Sequence, residues 1–126
     1  MSLLPPQEFS AASIARLFET VRFRFGSEVD LQNGVELVLQ RSKIAFAREK
    51  ALNAKDRPDF LVESGVAIEI KIQGTFAQAV RQIDRYSKHE SVLSILVIGS
   101  PVWISRIPLV IGGKPVHAIR ITESLL

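Results

Sequence analysis

The stretch "SVLSILVIG", residues 91–99, is an almost unbroken run of aliphatic and β-branched side chains. A strand with one face in water alternates apolar and polar residues, so a run without that alternation describes a strand covered on both faces. Such a strand is expected to be central in its sheet. At 126 residues, 47% of them hydrophobic, the chain is long enough for one core and too short for two comfortable ones, which predicts a single domain.

The neighbouring segments supply the rest of the architecture. The start, "MSLLPPQEF" (residues 1–9), is expected to be a flexible lead because Pro5 and Pro6 forbid early regular structure, with the domain spanning 10–126. From Ser10 onward, Ile14, Leu17, Phe18 and Val21 recur at helical spacing, predicting a helix that Gly26 closes. A second helix is expected from an N-cap at Ser27 to about Arg41, with Glu28 and Asp30 in its first turn, where acids suit the helix dipole. Leu31, Val35, Val38 and Leu39 share one arc of it, and Glu28 falls in the middle of that arc, so an acid is predicted to face inward. Gly34 within this helix signals close packing.

A strand is expected within 43–52, then a hairpin of "DFLV" (59–62) and "VAIEIKI" (66–72) around a turn in which Gly65 takes positive φ. A helix over 75–89 follows, with Phe76, Ala79, Val80 and Ile83 on its apolar face. The tail predicts a pair of short strands around "GGKP", with Trp103 as a packing residue. The order predicts an α/β or α+β fold, a central mixed sheet flanked by helices.

Composition narrows the function classes. A net charge of +3 and a pI near 9.6 suit a polyanionic partner. Seven Phe, one Trp and one Tyr are few for a platform that stacks single strands. Without cysteine there is no disulfide scaffold or thiolate metal site, so any metal is held by oxygen or histidine. No signal-peptide pattern and no bilayer-spanning apolar run is present, giving the expectation of a soluble, cytoplasmic protein without a membrane partner. No phosphate-cradling glycine loop is present, so no ATP site is expected in this chain.

Three charged residues interrupt the hairpin's apolar segments: Asp59, Glu69 and Lys71. Residues two apart on a strand share a face, so Glu69 and Lys71 lie side by side, and Asp59 begins the neighbouring strand. Two carboxylates brought together favour a proton or a cation between them. Mg²⁺, which takes oxygen ligands and keeps several waters, suits such a pair. Alone, "VAIEIKI" also describes a half-exposed strand with Glu and Lys in water; Asp59 then ends a loop, and Glu28 merely caps a helix dipole.

Pro58-Asp59 of "RPDF", followed after a nine-residue gap by Glu69-Ile70-Lys71, with "QIDRY" downstream, resembles the PD-(D/E)XK nuclease superfamily, and the Gln-x-x-x-Tyr pattern at Gln82 and Tyr86 resembles its RecB-like branch. The element order over residues 27–99 is similar too, implying a restriction-endonuclease-like core. The resemblance implies an Mg²⁺-dependent deoxyribonuclease, with Mn²⁺ able to substitute, acting in DNA recombination, repair or restriction. Carried over residue by residue, Asp59 and Glu69 are implied metal ligands, the backbone carbonyl of Ile70 supplies another oxygen, and Lys71 orients the attacking water or stabilises phosphate charge. Glu28 is the implied helix glutamate, ligating the metal directly or through water, although Glu19 and Glu36 are also helical acids. Gln82 and Tyr86 are implied to hold the site and the nucleic acid backbone. Independently, Arg81, Arg85 and Lys88 form a basic stripe on the same helix, able to grip phosphates or simply to face solvent. With little room for a sequence-reading domain, recognition of DNA structure or ends, or a homodimer presenting two sites, is expected. The alternatives are a nucleic acid-binding module that does not cut and a protein-interaction domain whose first helix and tail expose an apolar surface.

Overall fold

In the computed structural model, residues 9–122 are described, and the lead expected over 1–9 falls outside them except for Phe9. The aliphatic run forms a strand, Ser94–Gly99, at the middle of a six-stranded mixed sheet. In chain order the elements are α1 (Ala11–Glu19), α2 (Glu28–Arg41), β1 (Phe46–Arg48), β2 (Phe60–Val62), β3 (Val66–Lys71), α3 (Phe76–Ser87), β4 (Ser94–Gly99), a 3-10 turn (Val102–Arg106), β5 (Val110–Ile111) and β6 (Lys114–Arg120). The sheet order is β1-β2-β3-β4-β6-β5; β1, β2 and β3 are antiparallel neighbours, β4 runs parallel to both β3 and β6, and β5 pairs antiparallel with β6.

The sheet separates two apolar layers, as the unbroken run requires. On one face Ile14 and Phe18 of α1 and Leu31, Val35 and Leu39 of α2 pack against Phe60, Val62, Ile68, Ile70, Leu96 and Ile98. On the other, Ile83 and Tyr86 of α3 and Ile104 of the 3-10 turn pack against Ala67, Ile95, Val97 and Val116. Strand alternation therefore sends Ile68 and Ile70 to the α1/α2 side and Glu69 to the α3 side.

Capping explains most helix starts. Ser10, Ser27 and Thr75 each accept a bond from the backbone N–H three residues on, and Thr75 with Gln78 completes a reciprocal capping box. The predicted α1 overshoots. The helix stops at Glu19, where Thr20 caps it, and Gly26 closes nothing. Beyond it the chain is extended, with Phe23 buried, Val21 and Phe25 half-buried and Arg22 and Arg24 exposed, a period of two inside the stretch predicted as helix. β1 is likewise shorter than expected: Glu49 sits at φ 54 and ends it after three residues. Phe9 belongs to the domain, packing on the core while its carbonyl accepts from Ser64 Oγ at 2.7 Å.

Gly99, at the end of β4, fixes where Lys71 lies. The two residues are register partners across β3 and β4, and a Cβ on Gly99 would run into the carbonyl of Lys71. Backbone, not a flexible side chain, is the obstacle, so Gly99→Ala is expected to cost about 2–3 kcal/mol as overpacking. Denaturant unfolding checks this; a loss under about 0.5 kcal/mol, the range of an indifferent surface substitution, would contradict it.

Candidate active site

β2 and β3 pair with Phe60 opposite Ile68, and Asp59, the residue just before β2, reaches the neighbouring strand beside Glu69, its Oδ2 accepting from the Ile70 backbone N–H at 2.7 Å. The hairpin thereby sets the two acids near enough for the charge of Asp59 to act on Glu69. Lys71, two residues along β3, places Nζ 3.3 Å from Glu69 Oε2. The three residues expected to form a constellation do converge, at the end of the sheet where β2 begins and β3 ends.

Glu69 is buried, with 5% of its surface exposed. Its second oxygen accepts from the Tyr86 hydroxyl at 2.9 Å, and that hydroxyl also lies 3.3 Å from the carbonyl of Arg57. Burial pushes the Glu69 carboxyl up to about 7, the Asp59 charge adds to the rise, and Lys71 and the Tyr86 bond oppose it. Burial also pushes Asp59 up, to about 6, against a 2.7 Å bond from the Ile70 backbone N–H to Oδ2. The charges of Glu28 and Glu49 raise Asp59 further, and that of Lys71 lowers it. Tyr86, driven far above the ordinary phenol range by burial and by Glu69, remains a hydrogen-bond donor.

Each group in this pair is thus costly to ionise alone, and one ammonium offsets only one of two negative charges. The donor set is hard oxygen, partly desolvated and short of positive charge, which fits a cation of the Mg²⁺ class. Mg²⁺ commonly takes one or two carboxylates and keeps its waters, so Asp59 and Glu69 suffice as protein ligands. Among the described residues, no three acidic or histidine side chains gather closely enough to hold a metal together. Glu28 is half-buried and acts on Asp59 through its charge, but the α2 side chain that touches Asp59 is Gln32, one turn later, whose Nε2 donates to Oδ1 at 3.0 Å.

Of the two parts of its implied role, Tyr86 is placed for the first, holding the site. Only 1% of it is exposed, so it holds Glu69 and does not reach a nucleic acid backbone. Gln82 does face outward, lining with Lys71, Gln78, Arg81 and Arg85 an open cleft of ≈ 380 Å³ beside the acid pair. Within the stripe, Arg81 and Arg85 border this cleft, whereas Lys88 does not and pairs instead with Asp84 at 3.4 Å. Arg85 is shared, since its Nε donates to Asp56 at 2.9 Å.

Nothing in the sequence singles out Asp56 and His89. Buried Asp56 accepts from Arg85, lies 3.0 Å from His89 Nε2, and contacts Asn53. The bond to His89 leads the causes that hold its carboxyl below the usual range, with Arg85 and Asn53 acting the same way against desolvation. This cluster ties the loop leading into Arg57 and Asp59 to the end of α3. No local pattern announces it, because its members lie 29 and 33 residues apart. Trp103 packs as expected, edge-on to Phe76, with Nε1 donating to the Gly74 carbonyl at 3.1 Å. Helix α1 turns its apolar side inward, while Val102, Leu109 and Val110 of the tail are exposed.

No protein-family model, no curated protein and no solved structure matches the chain. Among the described residues no helix is long and apolar enough to cross a membrane.

Proposed function

We propose that this protein is a metal-dependent nuclease that hydrolyses DNA phosphodiester bonds, built on a restriction-endonuclease-like core and similar to the RecB-like PD-(D/E)XK enzymes. The observation that carries the proposal is half-buried Asp59 beside buried Glu69 at the end of the β2–β3 hairpin, with Lys71 Nζ 3.3 Å from Glu69. A half-exposed strand with its charges in water accounts for neither the burial nor the raised carboxyls.

In this proposal Asp59 and Glu69 hold the cation, joined by the Ile70 carbonyl as the resemblance implies. When bound, Mg²⁺ or Mn²⁺ supplies positive charge at the phosphate and acidifies water. Lys71, which pairs with Glu69 and borders the cleft, stabilises the charge that grows on the phosphate, the main demand of an in-line displacement. Tyr86 keeps Glu69 in place as a donor that does not ionise. Arg81 and Arg85 seat neighbouring phosphates along the cleft, and Gln82 adds a polar contact. Water adds to phosphorus and the P–O3′ bond breaks; the resemblance implies 5′-phosphate and 3′-hydroxyl ends. The proposal extends to action within the cytoplasm, in recombination, repair or restriction, and to a homodimer presenting two sites to a duplex.

Purified protein incubated with supercoiled, linear and branched DNA tests this. Cleavage is expected with Mg²⁺ or Mn²⁺ and is abolished by EDTA. Binding that persists without any cutting under every metal condition would instead assign the fold to a nucleic acid-binding module.

A further inference from the structure

Gln32 lies between two groups that leave its amide a single orientation. A carboxylate only accepts and a guanidinium only donates. Gln32 Nε2 donates to Asp59 Oδ1 at 3.0 Å, and its Oε1 accepts from Arg48 Nη2 at 3.1 Å. Flipping the amide would set oxygen against oxygen on one side and donor against donor on the other. Arg48 is itself anchored, with Nη1 2.8 Å from both Asn33 Oδ1 and Glu36 Oε2 and its guanidinium 5.7 Å from the centre of the Phe60 ring. The remaining oxygen of Asp59 takes the Ile70 N–H at 2.7 Å. Both oxygens of Asp59 are therefore pinned, one from its own hairpin and one from α2, leaving the carboxylate plane no freedom to swing away from Glu69.

We infer that Gln32, oriented by Arg48, is a positioning residue that sets the Asp59 carboxylate to share a divalent cation with Glu69. The cation belongs to the nuclease proposal, on which this inference rests in that respect. It goes beyond that proposal in assigning the helix's contribution to an amide and not to a third acid. A plain structural tie between α2 and the hairpin predicts something different: lower melting temperature and unchanged cation binding.

The test uses the full chain, with Mn²⁺ alone as probe, read by electron paramagnetic resonance and calorimetry, and circular dichroism to establish folding. Gln32→Met and Arg48→Met are each expected to weaken Mn²⁺ binding about 10-fold, the usual scale for groups that orient a metal ligand. The double variant should be no weaker than Gln32→Met, because Arg48 acts through Gln32. Gln32→Asn, which keeps the amide but is too short to span both partners, should shift binding in the same direction and serves if the Met variant does not fold. In cleavage, kcat should fall while KM for DNA holds. In the metal-free protein, the Gln32 side-chain amide resonances should move toward those of free glutamine in Arg48→Met. Mn²⁺ binding within two-fold of wild type in folded Gln32 variants, or losses that add in the double variant, would overturn the inference. Mn²⁺ binding by a wild-type protein that cuts no DNA would remove only the nuclease proposal; no binding at all would remove both.

Discussion

Lys71→Ala is expected to lower the rate of DNA cleavage by about 10²–10³-fold, the loss typical of removing one preorganised group that stabilises transition-state charge. Lys71 is the only cation within ion-pair distance of the acid pair among the described residues, and it also borders the cleft where Arg81 and Arg85 lie. Its substitution leaves those arginines intact, so DNA affinity should change little while turnover collapses. Lys71→Arg is not expected to rescue. A planar fork replaces the compact ammonium that stands 3.3 Å from Glu69, so the charge is delivered with a different geometry. Product formation over time on a labelled duplex, at saturating DNA, measures the effect. Turnover within 10-fold of wild type would remove Lys71 from the mechanism and with it the principal reason to regard this pair of acids as catalytic.

The second large effect concerns stability and pH. Glu69, with an unfolded-state value of 4.5, titrates near 7 in the folded protein, so between these values the folded state binds more protons than the unfolded one. Stability must therefore fall as pH rises through this window. Asp59, raised from 3.8 to about 6, contributes with the same sign, and because the two charges repel, their effects are not separable. Asp56, held below its ordinary value, acts in the opposite sense, but only at pH below the usual carboxylate range. Between pH 5 and 8, and without divalent cations, wild type is expected to lose about 2–3 kcal/mol relative to Glu69→Gln, because each tenfold change in proton affinity on folding is worth about 1.4 kcal/mol. The glutamine variant keeps an acceptor for Tyr86 and carries no charge to desolvate. Adding millimolar Mg²⁺ at pH 8 should restore stability in wild type and not in the variant, since a ligand that binds only the folded state stabilises it by mass action. Urea unfolding across the pH series reads all of this. Parallel curves for the two proteins would mean that Glu69 is not the strained acid its burial makes it.

Local periodicity carried much of the architecture. The unbroken run at 91–99, the alternation of "VAIEIKI", the Ser27 cap and the helical spacing over 75–89 are properties of adjacent residues, and the strands and helices they predict are present. The side-by-side placement of Glu69 and Lys71 follows from a two-residue repeat, and the short turn at Gly65 obliges Asp59 to lie near them. Where local rules conflicted, the shorter period prevailed: the Val21, Phe23, Phe25 alternation ended α1 early although Val21 fitted the helical spacing.

What the sequence determined by itself, then, was which residues share a strand face and which segments are helical, because backbone geometry sets both within a few residues. Only the tertiary structure decided that Asp59 binds the Ile70 N–H beside Glu69, that Gln32 and not Glu28 hydrogen-bonds it, that Arg48 turns toward α2, and that Tyr86 points inward to Glu69. Ladder register and the rotation of a helix about its axis are set by packing between segments distant in the chain. A window of neighbouring residues holds no record of that packing, since many registers and rotations satisfy the same local pattern and burial of the whole core selects one.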